Sequence, residues 1–337
     1  MKAVALTHYL PINDPKSLTD VELPQPKPTG SDVLVRIEAI SVNPVDAKIR
    51  APKSKVESAP RVLGWDAAGI VEAVGPDVEG FKEGDEVYYA GDVNRPGCNS
   101  EFQLVDERLI SFKPLSLSFA EAAALPLTTI TSWEALFEKL NIDLHGDNAG
   151  KTLLIIGGAG GVGSITIQLA KLAGLTVIAT ASRPETVEWV AKLGADHVID
   201  HTKPLPAQLA AIGHKEVDYI ANFANTDKYW ATMAEVIRPL GKIVSIVENT
   251  APVDLNLLKS KSASFSWEFM FAKALHQTEM ASQGELLEEV ADLIDSKKLR
   301  TTLTETLTPI NAENLRKAHA QLESGRTIGK LVLEKWS

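Results

Sequence analysis

Cysteine is almost absent from this 337-residue chain, which contains only Cys98. A disulfide within the chain needs two cysteines, and a zinc site made of thiolates needs several, so both are excluded. The chain also has no apolar run close to the roughly 18 residues of a membrane span. Its N-terminal apolar run is too short for a signal peptide. We therefore expect a cytoplasmic protein in a reducing setting, with no membrane partner.

Positive charge is also scarce, because 34 Lys and Arg stand against 44 Asp and Glu and leave a formal net charge of −10. A protein whose main partner is a nucleic acid usually presents a basic face. We therefore expect no nucleic-acid partner, although a local basic pocket for one small phosphorylated molecule is compatible with this balance. The apolar content of 45% is ordinary for a globular protein, and the length predicts two domains.

Three kinds of sequence follow one another along the chain. The first 110 residues contain short runs rich in Val and Ile, and residues 11–30 carry five prolines that predict an extended surface connection. From Lys151 onward strand and helix patterns alternate, with a candidate sixth strand in ASFSWEFM. This alternation predicts a parallel sheet with helices on both faces. The last 40 residues read as strand, helix and strand.

The pattern as a whole predicts an α/β protein. A Rossmann doubly wound parallel sheet at residues 126–272 is inserted in a β-rich domain built from residues 1–125 and 273–337. The chain contains no internal repeat that would suggest another architecture.

Two helices are predicted before the alternating region. Ser118 and Glu121 have capping-box spacing and introduce an Ala-rich helix that stops near Pro126. The segment TITSWEALFEKL then places apolar residues along one side and predicts a second helix.

The stretch TLLIIGGAGGVGSITIQLAKLAG, residues 152–174, joins a buried-type strand to a helix through a glycine-rich loop. Gly158, Gly160 and Gly163 fit the pattern G-x-G-x-x-G in the context that a dinucleotide site requires. Glycines let the backbone approach a pyrophosphate, and a helix beginning near Gly161 presents its N–H groups and positive dipole end to the anion. A glycine turn that only lets the helix pack closely on the strand is the alternative. The predicted pyrophosphate-binding residues are Gly158, Ala159, Gly160, Gly161, Val162 and Gly163.

The end of the next strand predicts which cofactor is bound. NAD-binding folds usually place Asp or Glu here to accept hydrogen bonds from the ribose 2′-hydroxyl, but the segment ATASRPET places Ser182 and Arg183 there. A hydroxyl and a guanidinium suit a 2′-phosphate, because charge-assisted hydrogen bonds are stronger than neutral ones, so we predict NADP(H). Ser182 and Glu185 also fit a capping box with Pro184 in the first turn.

The motifs resemble those of the medium-chain dehydrogenase/reductase superfamily over nearly the whole chain. PRVLGWDAAGIVEAVGPDVEGFKEGDEVYY is similar to the signature of the family's GroES-like domain, and IIGGAGGVGSITIQLAKLAG, LGADHVID and GKIVSIV follow in the expected order. The most similar branch is the quinone oxidoreductase group, which includes members labelled zinc-type alcohol dehydrogenase-like. The resemblance implies the same split layout, with a GroES-like domain at both ends of the chain, and a homodimer formed along an edge of the Rossmann sheet.

Zinc-dependent members of the family place a cysteine in the segment matching SVNPVDAK and Gly-His-Glu at LGWDAAG. This chain has Asn43 in the first segment and Trp65 and Asp66 in the second, and Cys98 is alone where those members have a four-cysteine lobe. Zinc needs soft or borderline ligands, typically three from the protein at a catalytic site. The seven histidines show no metal-ligand spacing either. We therefore expect no metal.

The resemblance to quinone reductases implies further site residues. Asn43 lies beside the nicotinamide, where its amide contacts the cofactor or a substrate carbonyl, and it is the one catalytic candidate. Thr131 contacts the nicotinamide-side phosphate or ribose. Ser182 and Arg183 face the adenosine 2′-phosphate, and His201 lies near that phosphate or the adenine.

Several of these residues also suit a purely structural role. Asn43 precedes Pro44 and is suited to shape a turn, and His201 is suited to end a strand at the surface. Quinone reductases often carry a lysine four residues beyond the serine-type position, where this chain has Thr186, and this departure weakens the argument for NADP(H).

An apolar acceptor pocket is expected to be lined by Trp65, Phe269 and Met270, although core packing also explains the segment SWEFMF. The only candidate proton donors are tyrosines, and solvent is the alternative because water can protonate a reduced quinone or an enolate, so we assign no general acid. The tyrosines are Tyr9, Tyr88 and Tyr89.

The reaction follows from the missing metal. Without a Lewis acid to polarise a carbonyl, alcohol oxidation loses its usual electrophile, whereas hydride addition to a conjugated acceptor stays feasible. We therefore predict a zinc-independent, NADPH-dependent reductase of quinones or α,β-unsaturated carbonyls, with a small-molecule acceptor as its partner. The alternatives are an alcohol dehydrogenase acting on simple aldehydes or ketones and a non-catalytic NADPH-binding protein.

Overall fold

Residues 1–336 are described by the computed structural model, and they divide into two units. The first unit comprises Met1–Leu127 and the chain from Phe271 onward, and the second comprises Thr128–Met270. The boundaries predicted from the sequence, 126 and 272, enclose the second unit. None of the helices within the described residues has the length and apolar character that crossing a membrane would require.

The strands are, in chain order, β1 (Lys2–Tyr9), β2 (Thr19–Glu22), β3 (Asp32–Ser41), β4 (Lys53–Val62), β5 (Ala67–Val74), β6 (Glu86–Tyr89), β7 (Phe102–Asp106), β8 (Ile110–Phe112), β9 (Thr152–Ile156), β10 (Thr176–Thr180), β11 (His197–Ile199), β12 (Val217–Asn222), β13 (Ile237–Ser245), β14 (Ser264–Trp267), β15 (Leu303–Leu307) and β16 (Lys330–Glu334).

The α-helices are α1 (Pro44–Arg50), α2 (Phe119–Ala123), α3 (Pro126–Trp133), α4 (Gly161–Leu172), α5 (Pro184–Lys192), α6 (Leu205–Ala211), α7 (Thr226–Val236), α8 (Asn256–Lys259), α9 (Ala272–Leu275), α10 (Ala281–Asp295) and α11 (Ala312–Glu323). A 3₁₀ turn spans Glu107–Leu109, and a π-helical turn spans Glu134–Lys139.

Two sheets build the first unit. One has three strands in the order β2-β1-β4, and the other has seven, in the order β15-β16-β3-β5-β6-β8 with β7 paired to β3. Strand β16, from the end of the chain, runs antiparallel to β3 with Val332 opposite Ser41. This pairing brings Lys330, the first residue of β16, beside the residues that follow β3.

The second unit contains a six-stranded sheet in the order β11-β10-β9-β12-β13-β14, and each of its strand pairs is parallel. Strand β9 is buried at all five positions, as expected for a parallel strand covered on both faces. The order reverses direction between β9 and β12, and doubly wound sheets bind ligands outside the carboxyl ends of the strands at such a point. The predicted α/β fold class is confirmed, and β14 is the sixth strand.

The sequence did not predict strands β2 and β4. β2 interrupts the proline-rich connection at residues 11–30, and β4 is exposed along nearly all of its length. Both are edge strands of the three-stranded sheet. Edge strands tolerate Lys and Pro, so KSKVESAPRV lacks the apolar alternation that marks a half-buried strand.

The helices before β9 differ in detail from the prediction. The capping box at α2 is confirmed, because Ser118 Oγ accepts a hydrogen bond from the Glu121 N–H at 3.3 Å and the Glu121 carboxylate accepts one from the Ser118 N–H at 2.9 Å. Pro126 opens α3, and after Trp133 the helix widens into a π-turn in which the Leu140 N–H donates to the Ala135 carbonyl, five residues back.

Candidate functional site

The glycine loop between β9 and α4 has the form of an anion cradle. Gly157 follows β9 with φ at +92°, a conformation that favours glycine, and its N–H donates to Thr180 Oγ1 at 2.9 Å. Helix α4 starts at Gly161, with Gly160 as its N-cap. The first turn of a helix leaves backbone N–H groups without partners inside the helix, and these suit a phosphate.

The three motif glycines differ in what a side chain would meet. A Cβ on Gly163 would lie 2.3 Å from the Gly157 carbonyl oxygen, so α4 approaches the loop as closely as backbone allows. A Cβ on Gly158 would lie 3.0 Å from the Cβ of Ala179 on β10. On Gly160 the nearest atom, the Gly157 oxygen, is 3.7 Å away. The backbone beside Gly160 therefore has room for a Cβ, unlike that beside Gly163.

Thr131 is buried on α3, the helix that hydrogen bonds tie to the start of α4. Ser132 Oγ lies 3.0 Å from the Val162 carbonyl oxygen and 2.9 Å from Thr166 Oγ1. These two hydroxyls, which the sequence did not single out, fix α3 relative to the glycine loop.

Basic side chains converge at the ends of β10 and β11. Ser182 Oγ lies 3.3 Å from His201 Nε2, and Arg183 Nε lies 3.3 Å from a carboxylate oxygen of Glu185. Burial lowers the pKa of His201, and the positive charges of Lys228 and Arg183 lower it further. Lys228, on the first turn of α7, was not identified from the sequence. Arg183 and Lys228 bring positive charge to this point of the second unit, and Glu185 and Asp200 partly offset it.

The predicted capping box at α5 is wrong in its residues. Arg183, not Ser182, is the N-cap, and its N–H donates to Thr186 Oγ1 at 3.1 Å. Thr186 therefore acts as the capping partner that the sequence assigned to Glu185. Because Ser182 is not the N-cap, its hydroxyl is available to the His201 imidazole.

Two of the three predicted pocket residues belong to the second unit. Met270 is 4% exposed, whereas Phe269 is 50% exposed.

Next to Phe269 in the chain, the carboxyl of Glu268 is buried, and burial together with the neighbouring Glu134 raises its pKa to about 10. The sequence did not indicate this pair, because Glu134 and Glu268 are the single acids of the apolar segments SWEALF and SWEFMF.

Asn43 lies at the centre of a buried polar cluster in the first unit. Its Nδ2 donates to Asp66 Oδ2 at 2.8 Å and to the Trp65 carbonyl oxygen at 3.3 Å, and its backbone N–H donates to Asp46 Oδ2 at 2.7 Å. Both amide hydrogens are thus used inside the protein. The predicted contact between Asn43 and a cofactor or substrate remains a prediction, and it would require one of these bonds to open.

The cation of this cluster is Lys330. Its Nζ donates to the Val42 carbonyl oxygen at 2.9 Å, to Asn43 Oδ1 at 2.5 Å and to Asp66 Oδ2 at 2.9 Å. Asp66 Oδ1 accepts the Leu127 N–H at 2.8 Å. Burial raises the pKa of Asp66, and Lys330 opposes that shift.

Asp46 is the second carboxyl of the cluster. Burial raises its pKa to about 7, against the Asn43 N–H and the charge of Lys330, which lower it. One ammonium, that of Lys330, therefore faces the carboxyl groups of both Asp66 and Asp46. When Asp46 is protonated, the charges of Lys330 and Asp66 balance and the cluster is neutral.

Trp65 is buried beside this cluster. Its Nε1 donates to the Asp92 carbonyl oxygen at 3.2 Å, and its ring meets Phe271 edge-on with centroids 6.1 Å apart. The hydrogen bond and the ring contact together fix the orientation of the indole.

The residues at the zinc positions do not fit zinc. Asn43 and Asp66 already bind an ammonium, and Trp65 offers no ligand atom. Cys98 is buried 3.4 Å from the Asp66 carbonyl oxygen, and burial raises the pKa of its thiol far above the usual range, whereas zinc binds the thiolate. Within residues 1–336 no group of three or more His, Cys, Asp or Glu side chains has the arrangement of a metal site.

The three candidate tyrosines have partners of their own. Tyr88 donates to the Leu287 carbonyl oxygen at 2.5 Å, Tyr89 donates to Gln103 Oε1 at 2.9 Å, and Tyr9 donates to Glu57. Burial raises the pKa of both Tyr88 and Tyr89. These bonds leave solvent as the simpler source of a proton.

Comparison with known families covers most of the chain. Residues 29–129 match the alcohol dehydrogenase GroES-like domain, and residues 193–333 match a family described as zinc-binding dehydrogenase. The β-rich unit is therefore GroES-like, as the resemblance implied.

Individual proteins are similar over nearly the whole length. A zinc-type alcohol dehydrogenase-like protein of Staphylococcus aureus (strain COL) is 49% identical over 311 residues, 92% of each chain. The 2-methylene-furan-3-one reductase of Solanum lycopersicum is 34% identical over 99% of this chain and 79% of its own. The crystal structure of Escherichia coli quinone oxidoreductase complexed with NADPH superimposes with a TM-score of 0.84 at 25% identity, over 99% of this chain and 100% of the other.

Proposed function

Since the chain belongs to the medium-chain dehydrogenase/reductase superfamily and is an oxidoreductase of that family, we propose that it reduces quinones or α,β-unsaturated carbonyls with NADPH and without zinc. The observation that carries this proposal is the set of residues found where zinc-dependent members of the family have their zinc ligands. Asn43 and Asp66 bind the ammonium of Lys330, and an acceptor that needs no Lewis acid is compatible with that arrangement.

The choice of NADPH rests on the basic cluster of the second unit. Arg183 and Lys228 offer positive charge, and Ser182 and His201 offer hydrogen bonds. Ser182 and Arg183 stand where an NAD enzyme usually has the Asp or Glu that binds the ribose 2′-hydroxyl. The similar quinone oxidoreductase of Escherichia coli was crystallised as a complex with NADPH, which supports the same choice.

The residues have separate roles in this proposal. NADPH supplies the hydride when it is bound. The loop from Gly158 to Gly163 holds the pyrophosphate and α4 stabilises its charge, while Arg183 and Ser182 hold the 2′-phosphate. Thr131 orients the nicotinamide half of the cofactor. Asn43 and Trp65 are buried and hydrogen-bonded, so they stiffen the part of the first unit that positions the acceptor and excludes water.

The test uses acceptors that differ only in conjugation. Purified protein is mixed with NADPH and either trans-2-hexenal or hexanal, with 1,4-naphthoquinone alongside and NADH as the control cofactor. We expect NADPH oxidation with the quinone or the enal, hexanal as the product of the enal, and no reaction with hexanal itself.

Other outcomes of this experiment select the alternatives. Reduction of hexanal, or conversion of the enal to hexenol, would replace the proposal with an alcohol dehydrogenase acting on simple carbonyls, as the names of the staphylococcal relatives suggest. Stoichiometric zinc in the purified protein would overturn the metal-free mechanism. NADPH binding without turnover of any acceptor would favour a non-catalytic role.

We also propose a cytoplasmic homodimer. β14 is an edge strand of the six-stranded sheet and carries Trp267, which is 45% exposed. An open edge with an aromatic side chain is suited to pair with a second copy. Sedimentation analysis of the wild type and Trp267→Lys tests the pairing, with a shift of the variant toward monomer as the expected result.

A further inference from the structure

Lys330 is almost completely buried, at 3% exposure, and lies in the polar cluster of Asn43 and Asp66. A lysine ammonium has three N–H donors, and three oxygen acceptors lie within 2.9 Å of Nζ. Lysine is almost never fully buried unless it is paired. Such a residue in a reaction site needs an explanation beyond packing.

The three acceptors come from two separate segments. Val42 and Asn43 follow β3, while Asp66 precedes β5, and Lys330 reaches both from the start of β16. The backbone already joins these segments on one side, because the Ser41 N–H donates to the Asp66 carbonyl oxygen at 3.0 Å. The ammonium adds a charged link between the side chains of Asn43 and Asp66.

We propose that Lys330 is a positioning residue for the acceptor, because its ammonium holds the side chains of Asn43 and Asp66 together and thereby fixes Trp65. The part about the acceptor rests on the proposed function. Trp65 immediately precedes Asp66, and its carbonyl oxygen accepts a hydrogen bond from Asn43 Nδ2. Asn43 and Asp66 are both bound to the ammonium of Lys330.

Loss of the ammonium has a specific consequence. Without it, Asn43 Oδ1 and Asp66 Oδ2 each lose a charge-assisted hydrogen bond, and Asp66 becomes a buried carboxylate next to Asp46. The repulsion loosens the Trp65 segment. The glycine loop and the basic cluster, which carry most of the predicted contacts with NADPH, belong to the other unit, so NADPH binding is expected to change much less than acceptor binding, even though Asn43 is predicted to lie beside the nicotinamide.

The experiment compares Lys330→Met with Lys330→Met/Asp66→Asn, and uses Lys335→Met as the control. Met keeps the length of the side chain without its charge, and the double variant removes the unpaired carboxylate. Lys335 lies five residues further along and is largely exposed. Measured quantities are amide hydrogen exchange at residues 63–67, the NADPH dissociation constant, and kcat and KM for the best acceptor.

For Lys330→Met we expect exchange at residues 63–67 to be at least about tenfold faster and the acceptor KM about tenfold higher, with the NADPH dissociation constant within about twofold of wild type. The double variant should regain thermal stability yet keep the fast exchange and the high KM, because the link is still missing. Lys335→Met should match the wild type.

Two results would overturn the proposal. One is a double variant with wild-type exchange at residues 63–67 and wild-type KM, since the link would then be dispensable. The other is a Lys330→Met protein in which exchange rises equally along the whole chain, which marks a merely structural residue. If Lys330→Met does not fold, the double variant decides alone. If the wild type reduces no acceptor, the proposed function fails, and the exchange measurement still decides whether Lys330 holds the Trp65 segment.

Discussion

The Nζ of Lys330 lies 2.9 Å from Oδ2 of Asp66, and the side chains of both residues are almost completely removed from solvent. Removing a charge from water is costly, so an ion pair of this kind persists only with good geometry and further hydrogen bonds. Asn43 and the Leu127 N–H supply them. The pair belongs to a cluster that also holds Asp46, and this third member has no cation of its own.

Two glycines of the same loop are expected to respond differently to alanine. In Gly163→Ala the new Cβ meets backbone atoms at 2.3 Å, and such overpacking costs about 3 kcal/mol of stability or more. In Gly160→Ala the Cβ has room and φ is −72°, so the protein folds, but the methyl group would lie where we propose that the pyrophosphate binds. We expect Gly160→Ala to keep its unfolding midpoint and to bind NADPH at least about tenfold more weakly, as measured by fluorescence titration. Unchanged NADPH affinity in this variant would contradict the assignment of the loop.

Arg183 is expected to set the preference between the two nicotinamide cofactors. A charge-assisted hydrogen bond contributes about 1.5–3 kcal/mol, so Arg183→Ala should raise the KM for NADPH about 10- to 100-fold and leave that for NADH unchanged. Glu185→Gln removes the carboxylate beside the guanidinium and should preserve or improve NADPH binding. Glu188→Gln, whose partner is Lys192 on the same helix, serves as the control. An NADPH affinity that survives Arg183→Ala would exclude Arg183 from the phosphate site.

Cys98 is expected to be inert in the native protein. The thiol is 1% exposed, and burial raises its pKa well above the usual range, so little thiolate forms at pH 8. A thiol reagent such as DTNB should label the native protein at least about a hundredfold more slowly than the protein in 6 M guanidinium chloride. Rapid labelling under native conditions would mean that the layer formed by Gly64, Asp66 and Cys98 opens readily.

The sequence predicted best what is encoded locally. The glycine loop and the strands of the second unit come from continuous patterns, and the structure has them at the expected residues. Strand β4 was missed because an edge strand with lysines and a proline carries no alternating signal. The capping box at α5 was assigned one residue too early because Ser182 and Arg183 both fit the spacing, and only the backbone shows which one is the N-cap.

The sequence could not reveal contacts between distant residues. Lys330 follows Asn43 by 287 positions, and GKLVLEK reads only as a closing strand until β16 is paired with β3. Lys228 and His201 likewise come from different strand–helix units. Glu134 and Glu268 are single acids in apolar segments, where the pattern gives no hint that they meet. Asn43 was placed by family resemblance alone, and the structure adds the hydrogen bonds that restrain its amide.

The buried groups Asp46 and His319 are expected to affect stability in opposite directions as pH changes. The pKa of Asp46, which faces Lys330, Asp66 and Cys98, is raised to about 7, so its contribution to stability is complete below pH 4 and is lost as pH rises to 7. Burial next to Arg50 lowers the pKa of His319 to about 3, and among the described residues neither ring nitrogen has a hydrogen-bond partner. Its contribution is complete above pH 6.5 and is lost as pH falls toward 3. Between about pH 4 and 6.5 the two slopes, each about 1.4 kcal/mol per pH unit, largely cancel.

Single substitutions should expose each slope. Relative to wild type, Asp46→Asn should gain stability as pH rises from 4.5 to 7, by up to about 3 kcal/mol, because the penalty for ionising the buried carboxyl is gone. His319→Leu should gain stability as pH falls from 6.5 to 4.5, by up to about 3 kcal/mol, because no buried imidazole resists protonation. Urea unfolding at several pH values measures both differences, and all other titrating groups cancel in the comparison. If the stability difference between Asp46→Asn and wild type stayed constant with pH, Asp46 would already be ionised in the native protein, with Lys330 balancing both carboxylates. If the difference for His319→Leu stayed constant, water would reach the imidazole and let it titrate as it does in the unfolded chain.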